Sequence, residues 1–351
     1  MQKKDAITIK DIAKALNLSV ATVSRSLKDS YQISEQTKKK VRAYAEANHY
    51  MPNLMAQSLK NRKTRSIGLM ICSIPNNFLA EVISGIESAA NSKNYHVIIT
   101  QSHESFEREM QNLDFLTSRA VDGFLVSIAT ETQNFSHFEE ILSQNLPIVF
   151  FDRIPDIDNI HQVVSDNHEG AYNATKHLLQ NGFTKIGHIT SSVNLSITKE
   201  RLEGYYKALE EFNIPLNEMY IKYCHHGGML LEEVEKAISE LLAAQIPVDA
   251  ILTASDRITT ATLKSLQERG LKIPDDIGIV GFTNFSFPEL FNPPLTTVNQ
   301  SAFEMGKTAA ELLITQIESK RPLKAFEKII LPAVLTVRKT SMKAKQNTVS
   351  S

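Results

Sequence analysis

The chain has 351 residues, of which 42% are hydrophobic and 22% charged, with two cysteines and no tryptophan. That length predicts two or three domains with a sizeable core, and that composition is ordinary for a soluble globular protein. No apolar run approaches the ~18 residues of a membrane helix, and MQKKDAITIK lacks the apolar centre of an export signal, so a cytosolic chain is expected. Cys72 and Cys224 lie far apart without metal-type spacing, and reduced thiols are expected. The net charge of −1 hides a strong polarity. Residues 1–65 carry 14 Lys or Arg against 5 Asp or Glu, whereas residues 66–351 carry 24 against 34.

The first predicted elements lie between Thr8 and Leu27. Ile9, Ile12, Ala13 and Leu16 follow the spacing of one helix face, and Val20, Val23 and Leu27 repeat it. Thr8 and Ser19 stand at N-cap positions, and Asn17 suits the left-handed backbone of a tight inter-helix turn. This reads as a helix-turn-helix whose second helix turns Ser19, Ala21, Thr22, Arg25 and Ser26 outward. Such a face suits a DNA major groove, where Arg pairs with guanine O6 and N7. An ordinary helical hairpin would show the same periodicity. The basic balance of the segment makes a phosphate-backbone binder the leading reading.

A third helix is predicted from about Ser34 to Asn48, capped by Ser34, with Val41, Tyr44 and Ala45 buried. Some of Lys38, Lys39, Lys40 and Arg42 are expected to touch phosphates, positioning without reading sequence. Pro52 ends that helix, and Asn53 could cap a short helix through Lys60 that is too short to be stable alone. It is expected to order only on DNA.

From Ser66 the texture alternates. Continuous apolar runs predict strands at 67–71, 96–100, 123–128, 148–151, 185–189, 220–223, 250–253 and 277–282, as for parallel strands buried on both faces. Amphipathic helices are predicted at 79–92, 106–117, 169–181, 200–212, 230–244, 258–269 and 302–319. The plan recurs: SIGLMICS, helix, GIESAANSKNYHVII parallels KIGHITSS, helix, GYYKALEEFNIP. Two doubly wound α/β lobes with parallel sheets would meet across a cleft, where small ligands tend to bind.

Residues 8–60 resemble the headpiece of the LacI/GalR family of bacterial transcription regulators. The matching residues are Asp11-Ile12-Ala13, Leu18-Ser19, Thr22-Val23-Ser24-Arg25, Ser34, Thr37, Val41, Tyr50, Pro52-Asn53 and Ala56 through Leu59. Asn17 stands where the family usually has Gly, and Gln57 where it often has Arg. The resemblance continues to about residue 340 through Val121-Asp122-Gly123, Asp152-Arg153, Asp166-Asn167, Asn181-Gly182-Phe183, Arg201 with Gly204, Ser255-Asp256, Gly281-Phe282 and Pro293-Pro294-Leu295-Thr296-Thr297. It implies an all-α headpiece at 1–50, a hinge helix and linker at 51–65, a periplasmic-binding-protein-like core at 66–340, and a polar, frayed tail beyond. The core lobes would comprise about 66–162 with 292–321, and about 163–291 with 322–340, the chain crossing near Val163, Asn292 and Pro322.

Residue by residue, the resemblance and the outward face together place DNA contacts at Thr8, Ser19, Val20, Ala21, Thr22, Ser24, Arg25, Lys28, Gln32, Asn53, Ala56, Gln57 and Leu59. Leu59 matches a residue that wedges between base steps, the hinge helix pairing with its twin from a second subunit. The same resemblance places effector contacts at Phe78, Asp152, Arg201, Ser255, Asp256 and Thr283. Thr283 offers one hydroxyl where many members have Asp. Asp256 could instead cap the following helix, and Phe78 could be core.

No G-x-S-x-G, phosphate loop or G-x-G-x-x-G supports catalysis. Adjacent Cys224, His225 and His226 would point to opposite faces of a strand and cannot easily share an ion. The expectation is a non-enzymatic, homodimeric DNA-binding regulator, a repressor more than an activator. Its partners would be operator DNA and a small-molecule effector, a sugar or related metabolite, without metal, cofactor or membrane. The competing reading is a sugar-binding receptor without DNA function, for which a basic helix-turn-helix has no use.

Overall fold

The computed structural model describes residues 7–50, 63–319 and 325–343. It divides into two compact units, 1–64 and 65–351.

In the first unit, α1 (Ile9–Leu16) starts at a capping box. The Thr8 hydroxyl accepts the Asp11 N–H (3.3 Å) while the Thr8 N–H donates to the Asp11 carboxylate (2.9 Å). Asn17 ends it at φ 53°, ψ 47°, the left-handed turn expected there. Ser19 accepts the Thr22 N–H (3.0 Å) to start α2 (Val20–Leu27), and Ser34 caps α3 (Glu35–Ala47) through Thr37. Ile12, Ala13, Val23, Val41 and Ala45 form the buried centre. Two expectations are corrected. Ser26 faces inward, its hydroxyl donating to the Thr22 carbonyl (2.8 Å). Lys38 is buried and paired with Glu35 (2.7 Å) and Asp29 (3.0 Å), and Arg42 also pairs with Asp29 (2.8 Å). Lys39 and Lys40 stay exposed as phosphate-contact candidates.

The second unit holds two sheets of like design. The first lobe contains β1 (Ser66–Ile71), α4 (Asn77–Ser92), β2 (His96–Gln101), α5 (Phe106–Ser118), β3 (Gly123–Val126), α6 (Ser136–Ser143), β4 (Ile148–Phe151) and β5 (His161–Ser165). The second contains α7 (Asn167–Gln180), β6 (Ile186–Thr190), α8 (Ser196–Glu211), β7 (Ile221–Tyr223), α9 (Leu231–Leu242), β8 (Ala250–Thr253), α10 (Asp256–Glu268), β9 (Gly278–Phe282) and β10 (Thr296–Gln300). α11 (Ala302–Glu318) returns to pack on α4, β11 (Lys328–Leu331) joins the first sheet, and β12 (Ala333–Thr336) the second. The strand orders are β11-β5-β4-β3-β1-β2 and β12-β10-β9-β8-β6-β7. Among the described strands only β12 runs antiparallel, against β10. The repeated SIGLMICS and KIGHITSS segments occupy the same place, β1 and β6, in their sheets.

The crossings differ from expectation. Val163 lies inside β5, paired to β4 and β11, so the first crossing comes at Asp166. The second follows Gln300, because β10 pairs with β9 well beyond Asn292. Pro322 lies outside the described residues, and the third crossing is at Pro332, between β11 and β12. Proline has no N–H to continue a ladder, which suits it to the switch between sheets. HQVVS and TTVNQ carry polar side chains into strands, β5 and β10, that are not among the predicted runs. Residues 339–343 are docked rather than frayed: Thr340 and Ser341 are buried, and the Thr340 hydroxyl donates to the Ile279 carbonyl (2.9 Å).

α4 and α11 cross on two glycines. A Cβ on Gly85 would lie 2.0 Å from the Phe303 carbonyl oxygen, and one on Gly306 would lie 2.0 Å from that of Val82. Gly85→Ala must separate the helices and should cost about 3 kcal/mol, read as a lowered urea midpoint of the core; an unchanged midpoint would refute so close a crossing.

On β6, His188 is fully buried, its Nδ1 3.1 Å from the Leu252 carbonyl. Burial lowers its pKa to about 4. The unfolded chain, titrating near 6.5, binds the proton more readily, so stability falls as pH drops from 6.5 towards 4. His188 should account for about 2 kcal/mol lost between pH 7 and pH 5. His188→Gln should shrink the acid loss by that amount in urea unfolding at the two pH values.

Candidate DNA-reading face and inter-lobe cleft

α2 presents Ser19, Val20, Ala21, Arg25 and Lys28 exposed, with Thr22 and Ser24 half-exposed; Thr8 and Gln32 are exposed beside it. Ser19 is spent as a cap, which leaves its hydroxyl bonded within the helix start and its outer side free. Val20 is 42% exposed, an apolar side chain of the kind that meets thymine methyl groups. Periodicity does not single out Tyr31, which is 91% exposed in the following loop; the only signal for it is an aromatic ring among polar neighbours. Asn53, Ala56, Gln57 and Leu59 lie outside the described residues.

All six expected effector residues line one cavity of about 40 Å³ between the lobes. Phe78 comes from the first turn of α4, Asp152 from the residue after β4, Arg201 from α8, Ser255 and Asp256 from the start of α10, and Thr283 from the residue after β9. The site thus sits beyond the carboxyl ends of both sheets, where α/β folds bind ligands. Cys72, Asn76, Arg153, Ser191, Phe282 and Gln300 line it too. Cys72 is buried, and burial pushes its thiol up to about 12.

The polar groups are held from both lobes. Ser255 is the cap of α10, accepting the Ile258 N–H (3.3 Å). That frees the Asp256 carboxylate, which accepts the Phe78 N–H (3.1 Å), the Asn284 N–H (3.0 Å) and a short bond from the Thr283 hydroxyl. Asn284 in turn donates to Glu81 (2.9 Å) across the lobes, and Arg257 to the Pro75 carbonyl (3.3 Å). Arg201 lies 4.2 Å above the Phe282 ring. It donates to Asn167 (2.9 Å), Gln300 (3.4 Å) and, in a short bond, the Ala254 carbonyl. Burial lowers its pKa to about 10, against the pull of Asp152. Asp152 sits at φ 57° and is 8% exposed. Burial raises its carboxyl above the usual range, opposed by Arg153 and Arg201. Glu104, which sequence reasoning missed, bonds Arg153 at 2.7 Å. Burial pushes its carboxyl up, but Arg153 and Thr130 outweigh that and hold it below the usual value.

Cys224, His225 and His226 lie past the end of β7 and do not alternate along a strand as expected: Cys224 is buried, both histidines are exposed in a turn, and His226 pairs with Glu233 (2.9 Å).

Residues 8–53 match the model of bacterial regulatory proteins of the lacI family, and residues 175–341 that of a periplasmic binding protein-like domain. The HTH-type transcriptional repressor PurR of Aliivibrio salmonicida is 33% identical over 318 residues, 89% of this chain and 93% of that one. The chain belongs to the lacI family. Among solved structures, the transcriptional regulator CelR–cellobiose complex is 25% identical, with a TM-score of 0.70 over 95% of this chain and 99% of that one. The lac repressor dimer bound to operator and the anti-inducer ONPF is 22% identical, with a TM-score of 0.83 over 96% and 100%, a likeness of fold. As a lacI-family member the protein is a DNA-binding transcription regulator with an effector-binding core, and its relatives are repressors rather than enzymes. No helix among the described residues is long and apolar enough to cross a membrane.

Asp256→Asn replaces one acceptor oxygen by an amide that faces N–H donors. It should cost about 1–3 kcal/mol of core stability and widen the cleft. Urea unfolding and small-angle scattering read the two effects, and an unchanged midpoint would mean that Asp256 does not tie the lobes.

Proposed function

We propose that this regulator is a cytoplasmic repressor, without enzymatic activity, that reads a near-palindromic operator as a homodimer. A small molecule between the core lobes, a sugar or related metabolite, controls it. The observation that carries the reading is the exposed face of α2 around Arg25 in a strongly basic unit. Arg25 is assigned to a base edge, Thr8, Ser19, Thr22, Ser24, Lys28 and Gln32 to backbone and flanking contacts, and Val20 and Ala21 to close apolar approach. The hinge assignments of Asn53, Ala56, Gln57 and Leu59 rest on the sequence. Two-fold symmetry of a dimer would impose matching half-sites. A surface groove lined by Ile74, Ala80, Leu231, Ala261 and Phe285, drawn from both lobes, supports a second copy as partner.

Phe78, Asp152, Arg201, Ser255, Asp256 and Thr283 are assigned to the effector site, and the cellobiose complex of CelR supports a carbohydrate there. A cavity of about 40 Å³ is far below the ~300 Å³ of ordinary ligand pockets, so binding requires the lobes to part. That movement is the physical link between ligand and DNA affinity.

Mobility-shift titration against genomic fragments tests the reading, since a DNA-reading dimer must lose affinity steeply with salt. Arg25→Ala should cost about 1–3 kcal/mol on the operator and relax one base position. Equal loss on random DNA would reduce Arg25 to a phosphate contact, and no specific shift at low salt would leave only a sugar-binding receptor.

A further inference from the structure

The core unit begins at Arg65. Its backbone is left-handed, φ 57°, a conformation that a side chain disfavours. The strands on either side of β1 hold it there. The Arg65 N–H donates to the Asp122 carboxylate (2.8 Å), just before β3, and the Arg65 carbonyl accepts the His96 N–H (2.8 Å) at the start of β2. The side chain reaches further. Nη1 donates to the Lys93 carbonyl (3.0 Å), the C-cap of α4, and to the carboxylate of Glu318 (3.4 Å), the last residue of α11. The guanidinium lies 5.0 Å from the centre of the buried Tyr95 ring. A cation suits the negative end of a helix, and here one cation serves two helices.

Both helices start at the cleft. In its first turn α4 offers the Phe78 N–H to Asp256 (3.1 Å). α11 begins two residues after Gln300, which lines the cleft and bonds Ser165 (2.9 Å). With 16 and 17 residues, each helix is about 25 Å long. Gly85 and Gly306 bring their backbones into contact, so neither helix slides without the other. A shift of the pair at the cleft is thus also a shift of Lys93 and Glu318.

Through β1 alone, the entering chain would follow only the sheet. The half-exposed Arg65–Glu318 pair is weak by itself. Joined to the Lys93 carbonyl and the Tyr95 ring, it ties the start of the core to the helices as well. We propose that Arg65 is a positioning residue of the regulatory response: it fastens the entering chain to the far ends of α4 and α11, so that parting of the lobes is passed to the DNA-binding unit. This rests on the reading that a small molecule between the lobes controls DNA affinity. Arg65 acts through the helices, not on the ligand or on a base.

Operator affinity is measured by mobility shift for the intact chain, on one genomic fragment that the wild type selects and at one salt concentration. Asp256→Asn, which loosens the cleft, stands in for the effector. It should change operator affinity about tenfold in the wild-type background. In an Arg65→Gln background the same change should shrink to about threefold or less. The charge lost with Arg65 is common to both members of that background and cancels in the ratio. Glu318→Gln keeps Arg65 and its charge but breaks one tie. It should shrink the response in the same direction, a readout that stands even if Arg65→Gln misfolds.

A purely structural Arg65 would lower the urea midpoint of the core yet leave the response to Asp256→Asn undiminished. That outcome, the same ratio in every background, overturns the proposal and leaves control by the lobes in place. Operator affinity unmoved by Asp256→Asn in the wild-type background instead overturns control by the lobes, and the proposal with it.

Discussion

One carboxylate, that of Asp256, is shared by the two lobes. It stands in the first turn of α10 and simultaneously receives the second N–H of α4, so two helix N-termini converge on a single negative charge. Each terminus has orphan N–H donors and a partial positive charge. Bringing them together without an anion would leave donors unmet and like poles opposed. With Asp256 between them the arrangement is satisfied, and Thr283 and Asn284 complete its shell from behind. Thr283 has therefore a different task from an acidic residue at that place: its hydroxyl donates to Asp256 and keeps only its acceptor lone pairs for a ligand.

This sharing makes the lobe spacing a two-state matter rather than a continuous one. A hydrogen bond of 3.1 Å to the Phe78 N–H cannot stretch by an ångström and survive. The Asn284–Glu81 and Arg257–Pro75 bonds break in the same movement. An entering molecule must replace these contacts, and only its differential affinity for the open and closed arrangements can shift the balance. Gln300 helps to preserve the hinge, since it bonds Ser165 at one crossing (2.9 Å) while Arg201 leans on it from the second lobe (3.4 Å).

What was legible in the sequence was what local chemistry decides. Thr8, Ser19, Ser34 and Asn17 each do their work within three or four residues of themselves, and each sits where its side chain foretold. The continuous apolar strands were legible because burial on both faces leaves no other composition open to them. The missed strands are those whose identity depends on distant partners. Lys328–Leu331 is half-exposed and becomes β11 only by lying beside β5, more than 160 residues earlier. HQVVS and TTVNQ are polar because they end at the cleft, where Ser165 and Gln300 are needed as hydrogen-bonding groups. Their function disguised their structure. The six residues assigned to the effector site came from resemblance, and nothing in their spacing could have gathered them from five places in the chain. Glu104 was invisible for the same reason: its partner, Arg153, is 49 residues away. Lys38 shows the converse error, a charge in a basic run that serves the fold by holding Asp29 and Glu35.

The charge polarity of the chain bears on specificity as much as on affinity. Residues 66–351 are strongly acidic, and a DNA phosphate array repels them over a Debye length or so. Non-specific attraction is thereby confined to the basic N-terminal segment, and within it Asp29 already consumes part of Lys38 and Arg42. Fewer free cations mean fewer counterions released and a weaker sequence-independent grip. The energy lost there raises the relative weight of base-edge contacts, the few side chains on α2 that distinguish one site from the next. The smaller that sequence-independent share, the smaller the change needed to release the headpiece from its site. That is the condition under which a metabolite binding between the core lobes, with a few kcal/mol of preference between two lobe arrangements, can govern occupancy of an operator.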